Sequence, residues 1–275
     1  MRDSFITAVN TQQITKEWID QIAVNLTNIY TPGYREINST FKNFLDGTTL
    51  DDLRVKIGQG KAYPGTSDEN VYLEGQGFFV AKRPDNKTLY TRLGEFTFDK
   101  EGTYRTKEGY AVQGYLLNDK GEIQAGVPSF ADPAMSKAED NLAMVPTTEI
   151  KLWIDPSNGK YLGKYEEFKI EGDGVLYGKA DDGKIKVPLY KLAVLNFHNA
   201  AAMTQVTPGY YIENEESGEA VVGRGEIRSG LIEMANTDFK ANVTYYQQAR
   251  MQMEMASKLI TTNKQLLEDA LRLLQ

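Results

Sequence analysis

The chain has 275 residues, a net charge of −7, a single histidine (His198) and no cysteine. That composition excludes a disulfide scaffold, a thiolate nucleophile, an iron–sulfur cluster and every cysteine-based zinc site, and one imidazole cannot build a multi-histidine centre. Net acidity argues against a DNA-coating surface, and the expected class is a binding or structural protein rather than an enzyme.

Residues 1–30 predict a helix. Ile19, Ile22, Leu26 and Ile29 follow a 3–4–3 spacing that places them on one face. Thr31-Pro32-Gly33 ends it, because Pro32 disfavours helical backbone at Thr31 and Gly33 supplies turn freedom. Asp3 and the polar residues at 10–13 interrupt any secretory apolar run. No stretch approaches the ~20 apolar residues of a membrane span. Residues 36–70 are expected to be an extended connecting segment.

Residues 71–235 predict a mostly antiparallel β domain. Short runs rich in Val, Ile, Tyr, Phe and Thr lie between turn signals such as Pro84-Asp85-Asn86, Asn118-Asp119-Lys120-Gly121, Pro156-Ser157-Asn158-Gly159 and Asp181-Asp182-Gly183. Phe96-Thr97-Phe98 and Thr103-Tyr104 flank Asp99-Lys100-Glu101-Gly102 as the arms of a hairpin would. Pro188 suits an edge position or a strand start. Residues 131–149 are rich in Ala, Met, Pro and Asp and weakly patterned, as expected of a loop or short helix at a subdomain junction.

Residues 236–275 predict a second helix. Asn236-Thr237-Asp238 offers N-cap chemistry. Phe239, Tyr246, Met253, Ile260, Leu267 and Leu274 then recur every seven residues, and the neighbouring column reads Ala235, Asn242, Ala249, Ala256, Asn263 and Ala270. Such a repeat signals helix packing. About 38 helical residues span nearly 60 Å, more than a compact β domain needs. The two ends are therefore expected to pack together or against other subunits. The fold class is α+β, with a coiled-coil-like pair of long terminal helices (1–35 and 236–275) and the β domain between them.

The chemistry of catalysis is thinly represented. No glycine-rich phosphate loop or dinucleotide fingerprint occurs. Residues 155–159 and 181–183 lack the alternating ligands and closing glutamate of a calcium loop and read as β-turns. His198 follows a predicted strand with no Gly-x-Ser-x-Gly elbow to serve. No catalytic, cofactor or metal residue is assigned. Numerous acids and aromatics keep one enzymatic alternative open, a carbohydrate-active cell-wall protein, although aromatics in β-rich chains more often form core and cross-strand pairs.

Three blocks carry a resemblance. The first is Asn25-Leu26-Thr27-Asn28-Ile29-Tyr30-Thr31-Pro32-Gly33-Tyr34. The second runs through Gly75, Gly77, Phe78, Phe79, Tyr90, Thr91, Arg92, Gly94 and Phe96. The third, residues 225–236, includes Gly230 and ends at Asn236. In this order they resemble the bacterial flagellar rod and hook axial proteins, with Thr27 and Ala235 standing where alanine and serine are usual and residues 131–165 matching poorly, as an insertion specific to a lineage would. The length favours a rod subunit, of distal or proximal type, over a hook or hook-junction subunit.

The resemblance implies a non-enzymatic subunit without cofactors. Its terminal helices would pair and build the inner tube of a helical drive shaft that passes torque to the hook, with Ile19, Ile22, Leu26, Ile29, Phe239, Tyr246, Met253, Ile260, Leu267 and Leu274 at the helix interfaces. The implied partners are further copies of the chain, other axial proteins, the surrounding basal-body rings and the flagellar type III export apparatus. Nucleic acid and a membrane span are not implied. The implied location is the periplasm-spanning rod of the basal body, reached without a cleaved signal peptide.

Overall fold

The computed structural model describes residues 2–44, 47–118, 120–123, 147–152, 167–180 and 184–273. Leu274, most of the 131–165 segment and the turns at 156–159 and 181–183 lie outside them. The chain divides into two compact units, one formed by residues 1–30, 36–56 and 237–275, the other by residues 31–35 and 57–236.

The first unit is built on two helices, α1 (Arg2–Thr27) and α2 (Phe239–Leu273). At 35 residues, α2 is about 50 Å long. The helices run antiparallel: Ser4 meets Asn263, Gln12 meets Ser257, and Asn25 meets Asn242. Asp238 caps α2, its carboxylate accepting the Ala241 N–H at 3.2 Å. α1 ends earlier than Pro32 requires. Thr27 and Asn28 fold their side chains back onto the carbonyls of Ala23 and Val24, and such local bonds compete with helix continuation. Ile29 therefore stands in the turn beyond the helix.

Residues 36–56 form an antiparallel hairpin, β1 (Ile37–Phe44) and β2 (Gly47–Val55), in the place expected to hold an extended connection. Asn, Thr, Lys and Asp give this stretch a linker-like composition. Its period-2 sites nonetheless include Ile37, Phe41, Leu53 and Val55, residues that favour a pleated surface.

In the second unit every pair of described strands is antiparallel. Its early strands are β3 (Ala62–Pro64), β4 (Val71–Gln76), β5 (Phe78–Lys82), β6 (Thr88–Thr91), β7 (Phe96–Phe98), β8 (Tyr104–Thr106), β9 (Ala111–Leu116) and β10 (Thr148–Glu149). There follow β11 (Glu167–Ile170), β12 (Val175–Ala180), β13 (Ile185–Leu192), β14 (Val194–Phe197) and β15 (Thr204–Thr207). The last are β16 (Tyr210–Ile212), β17 (Ala220–Val222), β18 (Arg224–Ser229) and β19 (Leu231–Glu233). The main sheet runs β11-β12-β13-β9-β5-β6-β16-β15, with β4–β18 and β3–β19 as separate ribbons.

The hairpin expected at 96–104 is present as β7–β8, with Phe98 opposite Tyr104. Pro188 lies inside β13, opposite a bulge at Leu176/Tyr177. β9 pairs with β13 only from Tyr190 onward, so the strand is locally an edge where the proline lacks its N–H. Phe79, Phe96, Tyr104, Val112, Ile150 and Leu176 anchor the core. Phe79, Phe96 and Tyr104 meet edge-to-face with centroids 5.4 Å apart at each step, the geometry that ring quadrupoles favour. The aromatic content is thus absorbed largely by packing.

Candidate assembly surface

In the helical unit, the side chains turned inward are small. α2 buries Asn242, Ala249 and Ala256, which belong to the small column of its heptads. α1 opposes them with Ala8, Thr15 and Ile22, which are also seven apart and buried. Small residues let the two backbones approach, and Trp18 packs beside Tyr245 with ring centroids 6.3 Å apart.

The large apolar column of α2 is placed differently. Phe239, Tyr246 and Leu267 are exposed, while Met253 and Ile260 are half-buried. Met251, Met255, Leu259, Leu266 and Leu271 are exposed on the same helix. On α1, Ile22 is buried, Ile19 and Leu26 are half-buried, and Ile29 is half-buried in the turn. One helix thus offers a long apolar surface that its own unit leaves in water, a feature associated with association sites.

Asn25 is 2% exposed and closes the hairpin onto α1. Its Nδ2 donates to the Ile37 carbonyl at 2.9 Å and its Oδ1 accepts the Ile37 N–H at 3.1 Å. Asn28 instead uses its amide to cap its own helix. Leu26 serves in packing.

The remaining motif residues belong to the β unit, where they surround one buried charge cluster. Arg92 donates Nε to Glu233 Oε2 at 2.7 Å, Nη1 to the carbonyls of Gly75 and Gly77, and Nη2 to that of Leu73. Arg35 Nη2 lies 3.2 Å from Glu233 Oε1, and its Nη1 donates to the carbonyls of Ile57 and Gly58. Burial pushes the Arg35 guanidinium below its ordinary pKa, Glu233 opposes that shift, and Arg92 adds to it. Two cations share one carboxylate, so the carbonyl dipoles carry the remaining compensation.

Around the cluster, Gly33 donates its N–H to the Glu233 carbonyl at 2.6 Å. Its φ of +64° is left-handed, and a Cβ there would stand 2.3 Å from the Leu93 nitrogen. Gly94 takes the Val71 N–H on its carbonyl at 2.9 Å, and its own Cβ position lies 1.6 Å from the Val71 oxygen. Tyr34 is fully buried, and its backbone brackets the junction by accepting the Asn236 N–H at 3.2 Å and donating to the Thr31 carbonyl. Asn236 Nδ2 donates to the Gly58 carbonyl at 2.5 Å.

Thr91 bonds the Gly209 carbonyl and receives the Leu93 N–H. Gly230 donates to the Asn70 carbonyl. Phe78 packs against Phe197 and Tyr211, Phe79 against Phe96, and Tyr90 against Phe197. Arg35 and Glu36 were not singled out in the sequence, while Glu233 stood there only inside the third block and Asn242 only as a member of the small column. A charged residue inside the apolar run Leu231-Ile232-Glu233-Met234 was the available signal for Glu233.

Among the described residues, no three acidic or imidazole groups are placed to hold a metal ion, and no helix is long and apolar enough to cross a membrane. The site is one of packing and pairing.

Comparison with known proteins meets this geometry directly. The family model described as the flagellar hook protein FlgE/F/G D1 domain matches residues 72–178, which carry the β-unit motif up to Phe96. The flagellar basal-body rod protein FlgG of Bacillus subtilis is 25% identical over 291 aligned positions, covering 93% of this chain and 92% of that protein. FlgG of Borreliella burgdorferi is 22% identical, covering 90% of each chain. The flagellar hook protein FlgE of B. burgdorferi is 31% identical over 122 positions, covering 42% of this chain and 27% of its own. The chain is thus similar to flagellar rod proteins along most of its length and to the hook protein over a shorter stretch.

Proposed function

We propose that the chain is a subunit of the basal-body rod. It polymerises through its terminal helices, in a coiled-coil-like arrangement, into the shaft that carries torque to the hook. The observation that carries this reading is the set of exposed apolar side chains on α2, with Met251, Met255, Leu259 and Leu266 on one face and Phe239, Tyr246 and Leu271 on another. Burying it against neighbouring copies removes apolar area from water at about 25 cal/mol per Å². A contact between unlike faces of successive subunits does not close on itself and so extends into a filament.

Within B. burgdorferi the similarity extends further along the rod protein than along the hook protein, which supports the rod reading. The B. burgdorferi rod protein matches over 90% of both chains, whereas the hook protein of the same organism matches over 27% of its own length. The neighbours in this reading are copies of the chain, other axial proteins and the rings around the rod. Delivery is through the flagellar type III export apparatus without signal cleavage. The subunit works by interfaces and has no catalytic step.

Deleting residues 236–275 tests the reading. The truncated chain should be absent from purified basal bodies, and its cells should lack rods. Normal rods containing the truncated chain would contradict it. A hook or hook-junction place is the second reading, and it predicts loss of the chain from basal bodies stripped of hooks.

A further inference from the structure

The inward faces of α1 and α2 carry little information about alignment. Asn242, Ala249 and Ala256 repeat at intervals of seven, as do Ala8, Thr15 and Ile22 opposite them. Sliding α2 by one heptad, about 10 Å, would put Ala249 in the place of Asn242 and Ala256 in the place of Ala249. Asn263 would likewise take the place of Ala256, so small side chains would still meet small side chains and apolar packing would barely distinguish the two alignments. Rotating α2 to turn Tyr246 and Leu267 inward would even bury more apolar surface, since both are exposed as the helices stand.

Polar contacts make the distinction. Asn242 is 1% exposed. Its Oδ1 accepts from Asn25 Nδ2 at 3.3 Å, and its Nδ2 donates to Glu36 Oε1 and to the Asp238 carbonyl, each at 2.9 Å. Glu36 is itself buried and holds Lys56 Nζ on Oε2 at 2.8 Å. In a shifted pair, Asn25 and Glu36 would face an alanine methyl, and Asn242 would leave both while keeping the Asp238 carbonyl of its own segment. Buried polar groups without partners are costly. Two further cross-helix bonds in this register, Gln12 to Ser257 at 3.4 Å and Ser4 to Asn263 at 3.5 Å, are long and only partly buried or exposed, so water competes with them.

We infer that Asn242, engaged by Asn25 from α1 and Glu36 from the hairpin base, is the residue that sets the register of the helix pair. Its role is to specify one alignment among several of similar apolar packing, as a lone buried asparagine does in a coiled coil. The inference concerns contacts inside one chain and stands whether the subunit occupies rod or hook.

Disulfide trapping in the full-length chain tests it, and the absence of native cysteine leaves each engineered pair unambiguous. Gln12→Cys is combined in turn with Ser257→Cys, which reports the native register, and with Arg250→Cys or Lys264→Cys, which report shifts of one heptad either way. In the otherwise unaltered chain, the native pair should oxidise about tenfold or more faster than either shifted pair, the factor implied by one buried polar group losing its partner. Asn242→Ala continues the alanine column and should bring the three rates together while helicity persists. Asn25→Ala should lower the same ratio from the other helix, and it decides the matter if Asn242→Ala fails to fold. Asn242→Ser, which keeps a small donor and acceptor, should restore part of the preference. An undiminished native preference in either alanine variant would overturn the inference. So would equal rates, or no trapping at all, in the unaltered register series.

Discussion

Arg92 Nε lies 2.7 Å from Glu233 Oε2, with both side chains buried. The contact joins the strand end after β6 to the end of β19, residues 141 positions apart in sequence. Removing the carboxylate would leave the guanidiniums of Arg92 and Arg35 facing each other without an anion. Glu233→Ala should therefore destabilise the β unit by about 3–5 kcal/mol. Urea unfolding of the full-length chain, followed by near-ultraviolet circular dichroism, reads this as a lower midpoint with an unchanged slope. Arg92→Lys should also destabilise, because an ammonium cannot reproduce the planar fork that serves Glu233 and the carbonyls of Leu73, Gly75 and Gly77.

Gly33 and Gly94 test the close approaches around that cluster. At Gly94 an added methyl would meet the Val71 oxygen, and at Gly33 it would meet the Leu93 backbone while φ stays left-handed. Neither obstacle is a flexible side-chain tip. Gly94→Ala and Gly33→Ala should each cost about 1–3 kcal/mol or more, the range of overpacked sites. Thermal denaturation of the purified variants checks it.

Burial holds the hydroxyls of Tyr90, Tyr104, Tyr210 and Tyr211 above the ordinary phenol range. Glu213 beside Tyr90 and Glu108 beside Tyr210 push further in the same direction. Burial pushes Tyr115 up to about 12. Folded values above the unfolded value of about 10 mean that these groups contribute stability fully present below pH ~10. That stability is lost as pH rises toward the folded values. Alkaline titration should show a late component of tyrosinate absorbance that rises together with unfolding.

The exposed column of α2 separates folding from assembly. Phe239→Ser combined with Leu267→Ser should change the unfolding free energy of the purified chain by no more than about 0.5 kcal/mol per site, as at ordinary surface positions. The same double variant should be depleted from basal bodies. Quantitative immunoblotting of basal bodies against whole cells checks the second half.

Much of this arrangement was legible in the sequence. The seven-residue recurrence from Phe239 located α2, and the Asp99 to Gly102 turn located the β7–β8 hairpin. Periodicity alone does not say which column of a helix faces its partner. The apolar column looked like the interface, yet within the chain the seam is the small column of Asn242, Ala249 and Ala256, since close backbone approach needs short side chains. The hairpin at 37–55 was hidden by its polar, linker-like composition, although its two strands pair with each other. The pairing of Glu233 with Arg35 escaped notice because a buried ion pair leaves no local pattern. Its members are 198 residues apart, and only tertiary structure brings them together.

The most direct test of the rod assignment is electron cryo-microscopy of basal bodies from cells carrying this chain but unable to build hooks. The account predicts subunit density for the chain in the rod, with α1 and α2 lining the inner wall. Its absence there, with appearance only once hooks are assembled, would contradict the account.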